Sequence, residues 1–529
     1  MSEGQGAPPV VIVRPETNVT SGTAVQEKLI SAAQAFADIL KPTLGPRGLD
    51  KMLYKTDGTT AVTNDGAKIV AELMVRHPAA KAFVSLAESQ ENACGDGVTR
   101  TLLVAGELLV EADRLIRMGL HPLTIVDGYL AAMKVVEESI HEFSKSIDDI
   151  EGEPILSVAK TALRGKSADQ DLDRFAQIIF QATRQITRET SEGLRSEAED
   201  VSMFLLGRKG IKDSHLLHGI QVRRRVLLDR LEGERHNLRV AVIHGDLKPR
   251  EMHRDVEIEV ENPEQLSDFI TEENERKVAL VENLLRLDVS AIFVSGEIDR
   301  DILHHLVDEG VFVADGFDDS ELRNLCGVTQ ANLSSSVHHL ISDDIGYAES
   351  IHCERRSASD RVEDEIVVIG GERAEIVTIA VGGTEGVAAE EVVRGLHDAL
   401  RSTTLATRTN SLLPGAGATH IRLAMMVRAA AEQRSDRAKL AMNAFSRALD
   451  IVPATLVENA GGDSLDAILA LRTSSLEEQV FGIGMDGNVA PVPSDVLHPT
   501  DTILNGIIGA TETACSLLRI DQVISARGD

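Results

Sequence analysis

Three short segments near the amino end combine glycines and acids in a pattern that suits phosphate binding. They are residues 43–48 (TLGPRG), 63–66 (TNDG) and 95–101 (GDGVTRT). A glycine-rich turn at a helix start presents unpaired backbone N–H groups to an anion, and a nearby carboxylate can hold the magnesium ion of a phosphate. Each segment alone is weak evidence for a phosphate site, because an Asp-Gly pair is far more often an ordinary turn.

A competing motif lies at residues 244–251 (HGDLKPRE), which resembles the catalytic loop of protein kinases with Asp246 as the base. Glu251 stands where that loop has a metal-binding Asn, and no Asp-Phe-Gly follows. A Gly-Asp turn after a strand is the simpler interpretation. A phosphotransferase built around Asp246 is therefore a less favoured hypothesis, which ranks third after the two functions given at the end of this section.

The histidine pairs 304–305 and 338–339 do not predict a metal site, because adjacent side chains point in different directions. The four cysteines are scattered without a CxxC spacing, which predicts neither a zinc site nor a disulfide framework. A reducing compartment is the expected environment. The cysteines are Cys94, Cys326, Cys353 and Cys515.

The elements that must position these motifs follow from hydrophobic periodicity. Helices are predicted where apolar residues recur at helical spacing: residues 25–40, 78–119, 122–143, 301–309, 390–460 and 511–526. Strands are predicted at short β-branched runs: RVAVIHG, SAIFVSG, VFVADG, EIVVIGG and EIVTIAVGG. Only the first twenty residues are predicted to form a loose segment without regular secondary structure.

The order is helical, then α/β, then helical, which is typical of one domain inserted into another. A chain of 529 residues predicts about three domains. The two outer segments would form one body, with connecting pieces near 146–215 and 370–400.

The charge balance is strongly acidic, with 84 Asp and Glu against 54 Lys and Arg, a net charge of -30, and only 15 Lys beside 39 Arg. Self-repulsion of this size is screened in concentrated salt, so the composition favours a salt-rich cytoplasm such as that of a halophile. It argues against nucleic-acid binding. No run of 18 apolar residues and no secretory signal are found, so we expect a cytoplasmic protein without a membrane partner.

Taken together, the motifs become specific. Residues 43–129, with TLGPRGLDKML, AVTNDGAKIV, GDGVTRT and GLHPLTIVDGY, resemble the equatorial domain of a group II chaperonin, the thermosome and eukaryotic cytosolic chaperonin family. Later segments continue the resemblance in order, among them SDDIGYAE, VGGTEGV, RGLHDAL, PGAGATHIRLAMMVR and FSRALDIVPATLVENAG. The resemblance covers nearly the whole chain.

The resemblance implies a multidomain α and α/β chaperonin fold. Its parts would be a helical equatorial ATPase domain, a small intermediate domain, and an inserted α/β apical domain with a helical lid protrusion. The implied bounds are equatorial 1–145 and 401–529, intermediate 146–215 and 370–400, and apical 216–369.

The resemblance also implies residue roles. Asp398 would activate the attacking water with help from Asp65, Asp96 would coordinate Mg²⁺, and Lys166 would belong to a nucleotide-sensing loop. Without the resemblance, Asp398 would be expected to face solvent from its helix. The remaining ATP-binding candidates are Thr43, Leu44, Gly45, Pro46, Gly95, Gly97, Val98, Thr99, Arg100, Gly415, Gly417 and His498; for Gly415 and Gly417, close packing competes as an explanation.

The chain departs from the family pattern around the nucleotide. Val98 and Arg100 replace two hydroxyl residues, His498 replaces an acid that binds ribose, and Ala416 interrupts a glycine triplet. The segment 201–217 lacks the usual Gly-Ser turn. These changes predict reduced ATP affinity or turnover, with Arg100 compensating by pairing with a phosphate.

The function that the resemblance implies is an ATP-dependent chaperone subunit, which encloses unfolded client proteins in a double ring with homologous subunits. The ring is either homomeric or hetero-oligomeric. The second hypothesis is a structural or regulatory ring subunit with a weakened ATPase. Client capture would use residues 303–306 and 322–325, although burial in a core explains their leucines more simply. The charge predicts that assembly fails at low salt before the subunit unfolds.

Overall fold

The computed structural model of the protein describes residues 18–525 apart from 22, 55–57, 59, 74–76, 192, 208–209, 225–227, 229–230, 250–262, 358–361, 372–373, 384–385 and 475–478. Glu251 of the kinase-like motif lies outside the described residues. Residues 250–262, which directly precede the helix Pro263–Arg286, also lie outside the described residues. The expected lid protrusion remains a prediction.

Helices and strands follow one another in three stretches of chain. The first contains β1 (Asn18–Ser21), α1 (Thr23–Leu40), β2 (Lys51–Tyr54), β3 (Thr60–Thr63), α2 (Gly66–Glu72), α3 (Pro78–Cys94), α4 (Val98–Arg117), α5 (Pro122–Ile140), α6 (Pro154–Leu163) and α7 (Leu172–Ile186). The second contains β4 (Arg188–Thr190), β5 (Gly193–Arg195), β6 (Val201–Leu205), β7 (His215–Leu217), β8 (Gly219–Arg224), β9 (Gly233–Ile243), α8 (Pro263–Arg286), β10 (Ala291–Val294), α9 (Arg300–Asp308), β11 (Phe312–Ala314), α10 (Asp319–Thr329), β12 (Leu333–Ser334), β13 (Gly346–Ser357), β14 (Val362–Gly370) and β15 (Val377–Val381). The third contains α11 (Val387–Thr409), β16 (Leu412–Pro414), α12 (Ala418–Glu432), α13 (Ala438–Leu449), α14 (Ile451–Asn459), α15 (Ser464–Ser474), β17 (Phe481–Ile483), β18 (Val489–Pro491), β19 (Leu497–Pro499), α16 (Thr500–Leu518) and β20 (Gln522–Ser525).

The chain divides into two compact units. Unit 1 comprises Met1–Ile179 and Glu390–Asp529, and unit 2 comprises Phe180–Ala389. Both ends of the chain thus belong to unit 1. The five segments implied by the resemblance are a finer division, and they stay a prediction.

Unit 1 is a helical body with α4 at its centre. Successive turns of α4 bury Leu102, Leu103, Leu108 and Leu109, because this helix packs against α1, α13 and α16. The hydroxyl of the fully buried Tyr129 donates to the backbone oxygen of Leu108 at 2.7 Å, which satisfies the polar end of a large core residue.

Unit 2 is built on a seven-stranded mixed sheet with the order β11-β10-β9-β13-β14-β8, in which β12 also pairs with β9. Strands β9, β10, β11 and β12 are parallel, and β13, β14 and β8 are antiparallel. The alternation of strand side chains supplies one core with α8 and α9, and a second core with α10. Leu303, Leu306, Leu322 and Leu325 are buried in these cores, so burial rather than client capture explains them.

The carboxyl end differs from its prediction. The last helix runs from Thr500 to Leu518 instead of 511–526, because Ile503, Ile507, Ala510 and Ala514 already keep helical spacing, although glycines dilute the pattern. The predicted end of that helix is instead β20, which pairs antiparallel with β1. Residues 18–21 are therefore ordered in a strand rather than loose.

The runs EIVVIGG and EIVTIAVGG form the strands β14 and β15, which belong to different sheets.

Among the described residues, the stretch Ala438–Asn459 alone is long and apolar enough to cross a membrane, with a mean hydropathy of 1.2. Because 67% of the most apolar part of this stretch is buried in the fold, it lies in the environment of a core helix.

Candidate functional site

Unit 1 contains a cavity of about 270 Å³. Every site residue that the sequence predicted lines it, although they come from distant parts of the chain: Thr43, Leu44, Gly45, Pro46, Asp65, Gly95, Asp96, Gly97, Val98, Thr99, Arg100, Lys166, Asp398, Gly415, Gly417 and His498.

The floor of the cavity includes the amino end of α4. Gly95 ends α3 with φ +67°, and Gly97 precedes α4 with φ +86°, so both occupy the left-handed region that favours glycine. No side chain caps α4. The first N–H groups of this 20-residue helix therefore have no side-chain acceptor, which is the arrangement that binds anions at helix starts.

A second glycine-containing loop closes one wall. Gly45 has φ +83°, and a Cβ atom there would lie 2.3 Å from Leu456 Cδ2. A Cβ on Gly165 would lie 2.9 Å from Pro46 Cα, so the loop that carries Lys166 packs directly on the Gly45 loop. Asn64 Nδ2 donates to the Gly165 oxygen at 2.5 Å and holds this contact.

Asp65 is positioned by the start of α2. Its Oδ1 accepts from the Ala67 N–H at 3.0 Å, as an N-cap residue does. A Cβ atom on Gly66 would lie 2.4 Å from Thr99 Oγ1, so only glycine allows α2 to approach the start of α4 this closely. The sequence pair Asp65-Gly66 thus brings a carboxylate next to the anion-binding end of α4.

Lys166 lies among four carboxylates, and we call this group the Lys166 cluster: Lys166, Asp65, Glu91, Asp96 and Asp398. Lys166 Nζ lies 2.6 Å from Asp398 Oδ2 and 3.8 Å from Asp96 Oδ1. Asp398 is only 4% exposed, so its helix turns it into the cavity rather than toward solvent.

The charges of the Lys166 cluster shift one another's pKa. Burial raises the pKa of Asp398 well above its usual range, and Asp65 and Glu91 add to this while Lys166 opposes it. Burial and Asp65 raise the pKa of Glu91 to about 7. Burial opposes the charge on Lys166, but Asp398, Asp96 and Asp65 raise its pKa above the ordinary value. The cluster therefore retains a proton near neutral pH, since one ammonium does not balance four carboxylates.

The cavity is also lined by Arg100, His420 and His498, and we call this group the Arg100 side. Burial and the neighbouring guanidinium lower the pKa of His498 to about 4. Burial lowers the pKa of His420 well below its usual range, with Arg100 adding to the effect. Both imidazoles are thus neutral near pH 7, and the Arg100 guanidinium provides the positive charge there.

The turn at residues 415–417 lies against the Arg100 side. A Cβ on Gly415 would lie 3.1 Å from His498 Cδ2, and one on Gly417 would lie 2.8 Å from Pro453 Cβ. Gly417 also precedes α12 without any side-chain cap. Close packing is therefore real at both glycines, and both also line the cavity. Ala416 has φ +55°, a conformation that L-residues rarely adopt.

The residues present fit a magnesium nucleotide. Among the described residues, no group of three or more His, Cys, Asp or Glu could hold a metal by itself. Magnesium usually takes one or two carboxylates together with substrate phosphates. Lys166, Arg100 and the Gly97 N–H offset the burial of Asp96 and hold the pKa of its carboxyl below the ordinary value, so Asp96 is ionised and ready to act as a ligand.

Sequence reasoning missed Glu91, His420 and Asn64, which also line the cavity. A signal existed for Glu91: it lies one helical turn before Gly95, whose N–H donates to the Glu91 backbone oxygen at 2.9 Å. No local signal identified His420, because its neighbours in the cavity are distant in sequence, and Asn64 stands inside the predicted segment 63–66 although no role was assigned to it.

The competing motifs have ordinary structural explanations. In unit 2, Asp246 accepts from the Glu297 N–H at 2.9 Å and pairs with Lys248 Nζ at 2.9 Å, which is a loop-stabilising arrangement. The histidine pairs belong to no metal-binding group among the residues that the structure describes.

Comparison with known proteins places the chain among chaperonins. The TCP-1/cpn60 chaperonin family matches residues 36–528. Thermosome subunit beta of Archaeoglobus fulgidus is 32% identical over 98% of this chain and 95% of its own length. The Methanopyrus kandleri thermosome subunit is 32% identical over 96% and 93%, and thermosome subunit 1 of Haloferax volcanii is 32% identical over 99% and 92%.

Proposed function

Because the chain belongs to the TCP-1/cpn60 chaperonin family, we propose that it is a subunit of a group II chaperonin that assists protein folding and hydrolyses ATP in the unit 1 cavity. The observation that carries the proposal is the meeting of two features in one cavity. The uncapped start of α4 offers phosphate donors, and the Lys166 cluster offers carboxylates beside them.

In this proposal, backbone N–H groups at Val98 and Thr99 bind phosphate oxygens, while the Gly97 N–H stabilises the Asp96 carboxylate. Asp398 orients the attacking water and accepts its proton, with Asp65 assisting. Burial makes Asp398 a stronger base than an exposed carboxylate once it is ionised. Lys166 holds Asp398 in place through their 2.6 Å ion pair.

Asp96 would hold Mg²⁺. When bound, the ion supplies positive charge that neutralises the phosphates during phosphoryl transfer. A divalent cation also relieves the repulsion among the four carboxylates of the Lys166 cluster, so we expect metal binding to release the proton that the cluster retains.

The assembly is also part of the proposal. The subunit would join homologous subunits in a double ring, in which ATP turnover closes an apical lid over an unfolded client. The five-segment division into equatorial, intermediate and apical parts belongs to this proposal, as does the salt-rich cytoplasm suggested by the net charge of -30. Light scattering across a salt series tests the last point, since rings are expected to dissociate at low salt before the subunit unfolds.

Three measurements on the purified protein in high salt test the function. They are Mg²⁺-dependent release of phosphate from ATP, ring formation by electron microscopy, and ATP-dependent recovery of a denatured client enzyme. A stable monomer that neither binds nor hydrolyses ATP would contradict the proposal.

A structural or regulatory ring subunit with a weakened ATPase is the second candidate. It is favoured by Val98 and His498, which line the cavity in place of a hydroxyl and an acid, and by Ala416 in its strained conformation. Rings that form normally but turn ATP over far more slowly than the Val98→Thr variant would support this candidate. Equal turnover in both would count against it.

A further inference from the structure

Arg100 is a largely buried cation that forms no ion pair among the described residues. It is 9% exposed and lines the cavity, yet its Nη2 atom has no hydrogen-bond partner and it forms no ion pair among the described residues. A Cβ on Gly97 would lie 2.6 Å from Nη2, so the guanidinium lies back over the start of α4. The two nearby imidazoles, His420 and His498, are neutral near pH 7.

A buried charge without an ion-pair partner is unfavourable, because it loses its hydration without gaining a counter-charge. Among the charged groups Asp96 has the largest effect on Arg100, yet the two form no ion pair among the described residues, and Asp96 already interacts with Lys166 at 3.8 Å. A bound anion would give the guanidinium the acceptors that the protein does not supply.

The position of Arg100 indicates which anion. Arg100 lines the same cavity as the uncapped start of α4, so two independent kinds of donor border this cavity. A guanidinium binds a phosphate through two parallel hydrogen bonds, which is stronger and more specific than a single ammonium contact.

We propose that Arg100 is a phosphate-binding residue that allows this subunit to hold a nucleoside polyphosphate without a divalent cation. The proposal rests on the nucleotide site proposed above and deepens it. Arg100 carries a fixed positive charge, whereas the Lys166 cluster has carboxylates that must be neutralised by a metal. Nucleotide retention and metal-dependent hydrolysis are thereby assigned to different residues of the cavity.

Nucleotide affinity in the presence of EDTA tests the proposal. Isothermal titration calorimetry would measure ADP, adenosine and inorganic phosphate against the wild-type protein and Arg100→Gln. We expect wild type to bind ADP in EDTA, and Arg100→Gln to bind it about 10- to 100-fold more weakly, as loss of a charge-assisted pair predicts. Adenosine affinity should be unchanged, because adenosine has no phosphate.

Arg422→Gln is the matched control. It removes another guanidinium of unit 1, which lies over the Phe143 ring at 5.5 Å and does not line the cavity. It should leave ADP affinity unchanged. Arg100→Lys keeps the charge but not the two-pronged geometry, so an intermediate affinity is expected, and this variant also tests the proposal if Arg100→Gln does not fold.

Three outcomes would overturn the proposal. In the first, Arg100→Gln binds ADP in EDTA as tightly as wild type and only its melting temperature changes, so that Arg100 is a structural residue. In the second, inorganic phosphate binds as tightly as ADP with the same dependence on Arg100, so that the ligand is the free anion. In the third, wild type binds ADP with Mg²⁺ but not with EDTA, which removes metal-independent retention and leaves the proposed ATPase intact. Failure to bind nucleotide under any condition would instead contradict the proposed function itself.

Discussion

Lys166 and Arg100 both line the cavity of unit 1, and their surroundings are opposite. The Lys166 side chain is 19% exposed and pairs with Asp398 and Asp96. Arg100 is 9% exposed and has no ion pair among the described residues. The Lys166 cluster therefore has more acceptors than its cation can satisfy, whereas Nη2 of Arg100 has no hydrogen-bond partner among the described residues. In the proposed function, a magnesium nucleotide would supply what each group lacks, since the carboxylates would hold the metal and the guanidinium would bind phosphate.

This difference also separates the residues suited to catalysis, in the Lys166 cluster, from the residues suited to binding, on the Arg100 side. Carboxylates with a raised pKa can accept a proton, so the Lys166 cluster is suited to activating water. The Arg100 side has neutral imidazoles and a fixed charge, so it can bind but transfers no proton near neutral pH. Substitutions on the two sides should therefore have distinct effects.

The largest expected effect follows from Asp398→Asn, which keeps the side-chain volume and removes the proposed base. ATP hydrolysis should fall by about 100-fold or more, as loss of a positioned general base predicts. ATP affinity should stay within a few fold, because Arg100 and the start of α4 remain. Single-turnover hydrolysis and equilibrium binding would be measured on the same preparation.

Asp246→Asn is the matched control for this substitution, since Asp246 is an aspartate of unit 2 with an ion pair of its own. It should leave ATP turnover unchanged. The separation of chemistry from binding would be refuted if Asp398→Asn hydrolysed ATP at the wild-type rate. Phosphate transfer to a protein that disappears in Asp246→Asn would revive the phosphotransferase hypothesis.

The second effect concerns pH and Glu91. Its pKa is raised from 4.5 to about 7 in the folded protein, so the folded state binds more protons than the unfolded state between these values. The free energy of unfolding should therefore fall as pH rises from 4.5 to 7, by at most about 3 kcal/mol for this group. Urea unfolding of wild type and Glu91→Gln across this range would measure it.

In Glu91→Gln the corresponding part of the pH dependence should be absent, and the variant should be the more stable protein at pH 8. The buried imidazoles of His420 and His498 contribute with the opposite sign in this window, because they bind protons more readily in the unfolded state, but their contribution is present in both wild type and Glu91→Gln. Parallel curves for wild type and Glu91→Gln would show that Glu91 does not share the proton of the Lys166 cluster.

The smallest effect lies beside the Arg100 side. Ala416→Gly should stabilise the protein by about 0.5–1 kcal/mol, because relief of the left-handed conformation at φ +55° exceeds the entropy cost of glycine. Ala429→Gly, at an exposed position of α12, is the control and should destabilise by about 1 kcal/mol. Thermal unfolding measures both, and a loss of stability in Ala416→Gly would mean that no strain is stored there.

Local sequence predicted much of the architecture. Helix limits were predicted from prolines, since Pro42 follows the end of α1, and α3 and α5 begin at Pro78 and Pro122. The sheet was predicted from the β-branched runs that form β9, β10 and β11. Both signals act over only a few residues. The last helix was misplaced because Gly506 and Gly509 weaken its pattern. The strand after it depends on pairing with β1, some 500 residues away, which no local signal encodes.

The sequence by itself determined which residues are candidates for phosphate chemistry, because glycine-rich spacing pointed to Gly95, Asp96 and Gly97, and the family resemblance pointed to Asp398. Only the tertiary structure decided their charge states and partners. The burial of Asp398, the raised pKa of Glu91 and the unpaired guanidinium of Arg100 depend on desolvation and on neighbours hundreds of residues away, and these exist only once the chain has folded.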